Sequence, residues 1–314
     1  MVKAADGRAL AVETVGDPRG RPVFLMHGMP GSRVGPHPRS TVLYRLGVRL
    51  ISYDRPGYGD STRLRGRRVS AAAADVRTIA DSLGLSRFAV LGRSGGGPHA
   101  LACAALLAER VSRVAVLVGL APRNATGLDW YGGMTPSNVR AYREAERGHN
   151  RMADTMRFRS EQIRADPGRL LRGLRPELPP TDREVVADTG LRRMLQSNYR
   201  EAFRHGADGW IDDVLAFTAD WGFKVEDITV PTWLWHGADD QFSPVDHSRW
   251  LGDHIPGASL FLEPGAAHFG AFRVMTAALA WAAGQTSTGL PSTGLPPSSG
   301  LPSAGLPPGG PLRP

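Results

Sequence analysis

The chain has 314 residues and one cysteine, a length that accommodates one large alpha/beta domain with an insertion, or two smaller domains, and a sizeable core in either case. Cys103 cannot form an internal disulfide and lies in an apolar helical run, so it is expected to pack rather than to react, and redox chemistry is not expected. The net charge of +8 is almost wholly arginine; without interleaved stacking aromatics or a recognition helix, even the cluster Arg63, Arg65, Arg67 and Arg68 is expected to be solvated surface and not a nucleic-acid site.

The N-terminus has no apolar core of signal-peptide length, and no later run reaches the roughly 18 apolar residues that span a bilayer, which predicts a cytoplasmic protein without a membrane partner. Asp6-Gly7 between short alternating segments predicts an edge hairpin over residues 1–16. Pro22–Met26 reads as a central strand, apolar on both faces, that ends in His27-Gly28-Met29-Pro30-Gly31-Ser32. A helical stretch near Ser40–Leu46, a strand over Arg49–Tyr53, the turn Asp54–Ser61 and an amphipathic helix over 70–83 closed by Gly84 follow.

Phe88–Ala100 then reads as a buried strand, a sharp turn carrying Ser94, and the start of a helix. The spacing Gly92-Arg93-Ser94-Gly95-Gly96 is the G-x-S-x-G pattern of a nucleophile elbow: side chains at positions 92 or 96 would collide with neighbouring backbone, and the turn leaves the Gly95 N–H free at a helix start. Val114–Val118 is a further strand. Regular alternation of strands and helices argues for a doubly wound, mostly parallel sheet.

Residues 123–222 break that pattern: polar, arginine-rich and helical in period, with helices expected in 136–147, 151–165, 181–204 and 210–220 and no strand. This stretch reads as a helical lid inserted between a first part of the core, 1–122, and a second, 223–283. In the second part the strand at 232–235, a helix near 244–253, the strand at 259–262 and a closing helix over 270–283 complete the sheet. From 284 to 314 the composition collapses to Gly, Pro, Ser, Thr and Leu, which predicts a disordered tail.

A serine hydroxyl needs an adjacent base, and that base needs a third group to hold its tautomer, so an acid and a histidine are expected on later strand ends in the order Ser, Asp, His. The loops His236-Gly237-Ala238-Asp239-Asp240-Gln241-Phe242-Ser243-Pro244 and Pro264-Gly265-Ala266-Ala267-His268-Phe269 both follow strands and supply them, with Asp239, Asp240 and, more remotely, Asp129 as acids. His27 and His236 precede turn glycines and are expected to be structural hydrogen-bonders, and His99 a packing or helix-surface residue. The remaining histidines lack metal-ligand spacing, so no metal or cofactor is expected.

With these motifs in hand, the chain resembles the alpha/beta-hydrolase fold superfamily, serine-hydrolase branch, over roughly residues 5–122 and 223–283. The family loop H-G-x-x-D-x-x-x-P falls on His236, Gly237, Asp240 and Pro244 and selects Asp240 as acid; the final-loop histidine falls on His268. The early H-G-x-P loop matches His27, Gly28, Met29 and Pro30 and implies a second oxyanion donor on the Met29 N–H beside that of Gly95, while D-R-x-G-x-G-x-S falls on Asp54 through Ser61. The resemblance implies a Ser94–Asp240–His268 triad that cleaves an ester or related acyl bond of a small molecule through an acyl-enzyme, in a monomer or homodimer. It also allows an amidase, an iminopeptidase-like enzyme, a cofactor-free perhydrolase or a C–C bond hydrolase. Gly95 stands where iminopeptidases usually carry Trp, and Ser94 where dehalogenases and epoxide hydrolases use Asp. The rival from another class is a binding protein that keeps the fold without turnover.

Arg93 departs from the aromatic, His or Gln usual before the serine. It reads either as a structural ion pair under the lid or as a guanidinium that favours a substrate carboxylate. Among the lid aromatics Trp130, Tyr131, Trp210, Phe217, Trp221 and Phe223, the spacing of Trp210, Phe217 and Trp221 is that of a helical packing stripe, with Trp210 and Trp221 as candidate pocket walls.

Overall fold

The computed structural model describes residues 1–285, and the expected tail lies outside the described residues from 286 onward. The chain starts with a small hairpin, β1 (Val2–Lys3) antiparallel to β2 (Ala9–Leu10), whose turn uses Gly7 at φ +86°. There follow β3 (Val12–Gly16), β4 (Arg21–Met26), α1 (Ser40–Arg45), β5 (Val48–Tyr53), α2 (Ala71–Ser82), β6 (Phe88–Arg93), α3 (Gly96–Leu106) and β7 (Val111–Leu117). Six helices come next: α4 (Pro136–Arg147), α5 (His149–Ala165), α6 (Gly168–Leu174), α7 (Pro180–Val185), α8 (Thr189–Ala202) and α9 (Asp208–Thr218). Then β8 (Thr232–Gly237), α10 (Val245–His254), β9 (Ser259–Glu263) and α11 (Ala271–Ala282) close the described chain.

The main sheet has seven strands in the order β3-β5-β4-β6-β7-β8-β9, parallel except for β3, which runs antiparallel to β5. The expected hairpin over residues 1–16 is therefore two devices: a short separate ribbon, then an edge strand that leaves it for the main sheet. Alternation along buried parallel strands sets the two faces. Val23, Leu25, Ala89, Leu91, Ala115, Leu117, Trp233 and Trp235 pack against Leu43 of α1 and Ala271, Met275 and Leu279 of α11. Phe24, Met26, Val90, Val114, Val116 and Leu234 face the other way, toward α2, α3 and α10.

The helical segment between β7 and β8 has more breaks than its period predicts. Instead of one helix over 181–204, α7 stops at Val185 and Asp188 starts α8, its carboxylate accepting the Leu191 N–H at 2.7 Å. α6, over 168–174, was not expected at all. Among the described residues no helix is long and apolar enough to cross a membrane.

This segment is tied to the core by charge. Asp213 of α9 is fully buried and holds four partners from the core: Arg55 Nη2 at 2.6 Å, Arg67 Nη2 at 2.7 Å, the Tyr58 hydroxyl at 2.9 Å and His99 Nε2 at 3.3 Å. Arg63 pairs with Asp212 and Asp208 on the same helix, both at 2.8 Å. Two members of the arginine cluster expected to be solvated are thus tied to α9, Arg67 being buried, while Arg68 makes an exposed pair with Asp220. Asp208, Asp212 and Asp213, all on α9, draw these side chains inward, a pairing invisible from local composition. Burial would raise the Asp213 carboxyl, but Arg55 and Arg67 hold it well below the usual carboxylate range.

Asp213→Ala leaves two guanidiniums buried without their counter-ion and is expected to cost about 3–5 kcal/mol in urea unfolding, whereas Asp220→Ala, which breaks an exposed pair with Arg68, costs less than about 1 kcal/mol. Acid should also weaken the fold. Burial lowers His99 to about 4, aided by Arg55, and His247 to about 4, aided by His236. Nδ1 of His247 accepts the Ala121 N–H at 3.1 Å and its Nε2–H donates to the Trp130 carbonyl at 3.1 Å, so protonation breaks a satisfied site. Because the folded values lie below the unfolded one near 6.5, the stabilisation is complete above that pH and is lost as pH falls toward 4, by about 3 kcal/mol per ring. A denaturation midpoint that stays flat from about pH 7 to about pH 4.5 contradicts this.

Candidate active site

All the residues singled out for chemistry sit where strands end at their C-terminal edge, the place where open parallel sheets bind ligands. Ser94 follows β6 with φ +54°, a left-handed conformation that a non-glycine residue adopts only when its surroundings enforce it. The enforcement is visible. The Ser94 N–H donates to the Leu117 carbonyl and its carbonyl accepts the Gly97 N–H, each at 2.8 Å. A Cβ on Gly96 would stand 2.7 Å from the Met26 carbonyl carbon and 2.8 Å from the His27 oxygen, so only glycine lets strand, turn and helix close this tightly.

The same closeness brings two main chains together. A Cβ on Gly95 would lie 2.7 Å from Met29 Cβ and 3.2 Å from Met29 N, and among the described residues neither the Met29 nor the Gly95 N–H donates to another backbone group. Their loop is held from behind by Arg55, whose guanidinium donates to the His27 carbonyl and, at 3.1 Å, to that of Gly28. Arg55 therefore anchors the neighbouring loop and α9 as well as its own. His27 is used up locally: Nδ1–H donates to the Gly28 carbonyl at 2.8 Å and Nε2 accepts the Arg55 N–H at 3.1 Å.

Asp240, in the loop after β8, is buried, and its Oδ1 accepts the N–H groups of Phe242 at 2.8 Å and Ser243 at 3.1 Å. Its Oδ2 lies 2.8 Å from His268 Nδ1 and 3.2 Å from His236 Nε2. Burial would raise this carboxyl, yet His268 and His236 hold it below the ordinary carboxylate range. Nδ1–H of His268 donates to that carboxylate, which leaves Nε2 as the lone-pair nitrogen of the ring. Asp239 is exposed, with its backbone N–H spent on the Ala266 carbonyl, and takes no part. His236 bonds Ser248 Oγ and the Ser243 carbonyl, each at 2.6 Å, so it shapes the acid loop.

Ser94, His268, Met29 and Arg93 all open onto one cavity of about 330 Å³, roofed by α4, α5, α6, α8 and α9. Among the described residues no hydrogen bond joins Ser94 to His268, and both side chains face the same cavity. Trp210 lines the cavity. Trp221 does not: α9 ends at Thr218, which takes position 221 off the helical stripe, and its indole stacks on Phe223 in the core. His99 and Asp129 lie outside this lining as well.

One residue has no sequence signal. Asp182 of α7 is fully buried and its Oδ1 accepts the Phe269 N–H at 2.8 Å, next to His268, while its Oδ2 has no partner. Burial raises its carboxyl, opposed by His268. Nothing but the proline pair before it marks this position, and its target lies 87 residues onward. Among the described residues no three His, Cys, Asp or Glu are grouped as a metal ion would require.

A family model for the alpha/beta hydrolase fold matches residues 21–273, and the chain belongs to that family of hydrolases. It is 28% identical over 272 residues to a non-heme haloperoxidase from Rhodococcus erythropolis, spanning 85% of this chain and 92% of that protein. To a pimeloyl-[acyl-carrier protein] methyl ester esterase from Nitrosomonas europaea it is 29% identical over 227 residues, 70% of this chain and 78% of the relative. The solved structure of an esterase from Exiguobacterium antarcticum superposes with a TM-score of 0.64 at 22% identity, over 90% of this chain and 98% of that one, a likeness of fold.

Asp240→Ala strips two backbone donors and the His268 Nδ1–H of their buried acceptor and is expected to cost about 3 kcal/mol of stability in denaturant titration; Asp239→Ala, at an exposed position, changes it by less than about 0.5 kcal/mol. Equal losses would show that the acid loop is not organised by Asp240.

Proposed function

We propose that the chain is a serine hydrolase that cleaves an ester or related acyl bond of a small molecule in two steps. The observation that carries this reading is the 2.8 Å bond from His268 to the buried Asp240, which fixes the imidazole tautomer beside the cavity that Ser94 also lines. Ser94 Oγ attacks the acyl carbon as its proton passes to His268 Nε2. The Met29 and Gly95 amides receive the charge that develops on the carbonyl oxygen, and the imidazolium returns the proton to the departing alcohol. Water, deprotonated by the same imidazole, then adds to the acyl-enzyme, and Ser94 recovers its proton as the acid leaves.

Asp240 stays ionised throughout, because its position below the ordinary carboxylate range resists protonation by the imidazolium it steadies. The helical segment over 123–222 serves as a lid on the two-part core, and Trp210 as part of its wall. A cavity of about 330 Å³ suits a small molecule rather than a polymer. The likeness to a protein named as a non-heme haloperoxidase gives one further reading a foothold: hydrogen peroxide in place of water as acyl acceptor, releasing a peracid.

Ser94→Ala is expected to lower kcat/KM on short chromogenic esters by about 10³-fold or more and to abolish labelling by a fluorophosphonate probe. Near-parental turnover by that variant removes the serine mechanism. Peracid formed from an ester and peroxide at a rate comparable to hydrolysis would favour the second reading.

A further inference from the structure

The residues around the cavity carry an unbalanced charge. Four arginines line it, Arg93 beside Ser94 and Arg140, Arg159 and Arg169 at the exposed mouth, against one carboxylate, Glu177. Glu177 is already engaged by the N–H of Ser137 at 3.2 Å and by its hydroxyl. Two acids beside the roof helices are paired with other arginines, Asp154 with Arg157 and Asp166 with Arg172. Among the described residues none of the four lining arginines has an ion-pair partner, so the structural ion pair expected as one reading of Arg93 is not formed.

Arg93 is the informative member. Its guanidinium stacks 4.3 Å over the Phe272 ring, and a Cβ on Gly28 would stand 2.9 Å from its Nη2, which wedges it between the loop of Met29 and the start of α11. Burial there works against its charge and lowers its pKa; Tyr199, Asp240 and Asp182 act on it only from a distance. Asp240 is committed to His268 and His236, and Asp182 bonds the Phe269 N–H through Oδ1 and forms no ion pair with Arg93 among the described residues. Its side chain is half-buried, lines the cavity and has no bonded anion among the described residues, so a ligand that enters can supply the counter-ion.

We infer that the substrate is itself an anion, a short-chain carboxylic ester bearing a second, free carboxylate that docks on Arg93 while Arg140, Arg159 and Arg169 draw it into the mouth. The inference rests on the serine-hydrolase reading and names its substrate class. Arg93 adjoins Ser94 in the chain, so the carboxylate and the reacting carbonyl belong to one small acyl group. A carboxylate matches the planar donor fork of a single guanidinium; a dianionic phosphoryl group would leave uncompensated charge against Phe272. Arg93 is thus a specificity residue, and the mouth arginines act on encounter.

The test compares monoethyl glutarate with ethyl pentanoate, which has the same chain length, and with ethyl 4-phosphonobutanoate. The parent is expected to favour monoethyl glutarate over the pentanoate by about tenfold or more in kcat/KM at about 50 mM salt, and to lose part of that lead at about 500 mM. Arg93→Met should lower the glutarate-to-pentanoate ratio by about 10²-fold and Arg93→Lys should restore part of it. The triple variant Arg140→Gln, Arg159→Gln, Arg169→Gln should flatten the salt dependence. Calorimetry with glutarate alone, binding to the parent and not to Arg93→Met, supplies an arm that does not depend on Ser94.

A parent with no anionic preference, one that favours the phosphonate, or an Arg93→Met variant that loses both esters equally while still binding glutarate overturns the inference. Fluorophosphonate labelling of Ser94 separates the two levels. Labelling without anionic preference sinks this inference and leaves the serine reading standing, whereas glutarate binding without labelling sinks the serine reading and with it the ester, leaving only a carboxylate subsite at Arg93.

Discussion

The buried carboxylate of Asp213 is the joint on which the arrangement turns. It takes Arg55 from the loop after β5, Arg67 from the approach to α2, Tyr58, and His99 from the helix that follows the elbow. Each of these groups alone would be costly to bury, and together they satisfy one another in a medium where such attractions are strong. Arg55 then passes the constraint forward, because the same guanidinium that grips Asp213 also grips the carbonyls of His27 and Gly28. The backbone that precedes Met29 is thereby held by a residue of the inserted helices.

A second link of the same kind runs through Asp182. Its carboxylate caps the turn that begins at His268, so α7 reaches the loop of the imidazole as α9 reaches the loop of the amides. The helices between β7 and β8 are thus fastened to the core at the loops that carry Met29 and His268. Their other faces are built on apolar packing, with Leu195, Phe203, Ile211 and Phe217 among the fully buried side chains. Packing fixes where the roof lies, and the two carboxylates fix what it touches.

Much of this was legible in the sequence, for reasons that are local. The elbow reads out because close backbone approach admits only glycine at positions 92 and 96, and the sheet reads out because buried parallel strands need uninterrupted apolar runs. That Asp240 and His268 meet could be read because each lies in a loop directly after one of two neighbouring strands. Asp182 and the inward turn of Arg63 and Arg67 could not, because their partners are 87, 149 and 146 residues away and nothing near them in the chain announces the pairing. Trp221 failed for a different reason: a helical period continues on paper past the residue where the helix stops, and α9 stops at Thr218.

Charge closes the account of the site. Where the fold needs an arginine buried, as at positions 55 and 67, it provides Asp213 within hydrogen-bonding distance. Position 93 departs from that in the same molecule: it is half-buried at the cavity wall and, among the described residues, has no ion-pair partner. The contrast between positions 55 and 67 on one side and 93 on the other is the ground for reading the latter as a ligand-facing cation. The cation and the Ser94 hydroxyl leave the same turn of backbone, so whatever answers the charge is carried to the hydroxyl by the same act of binding.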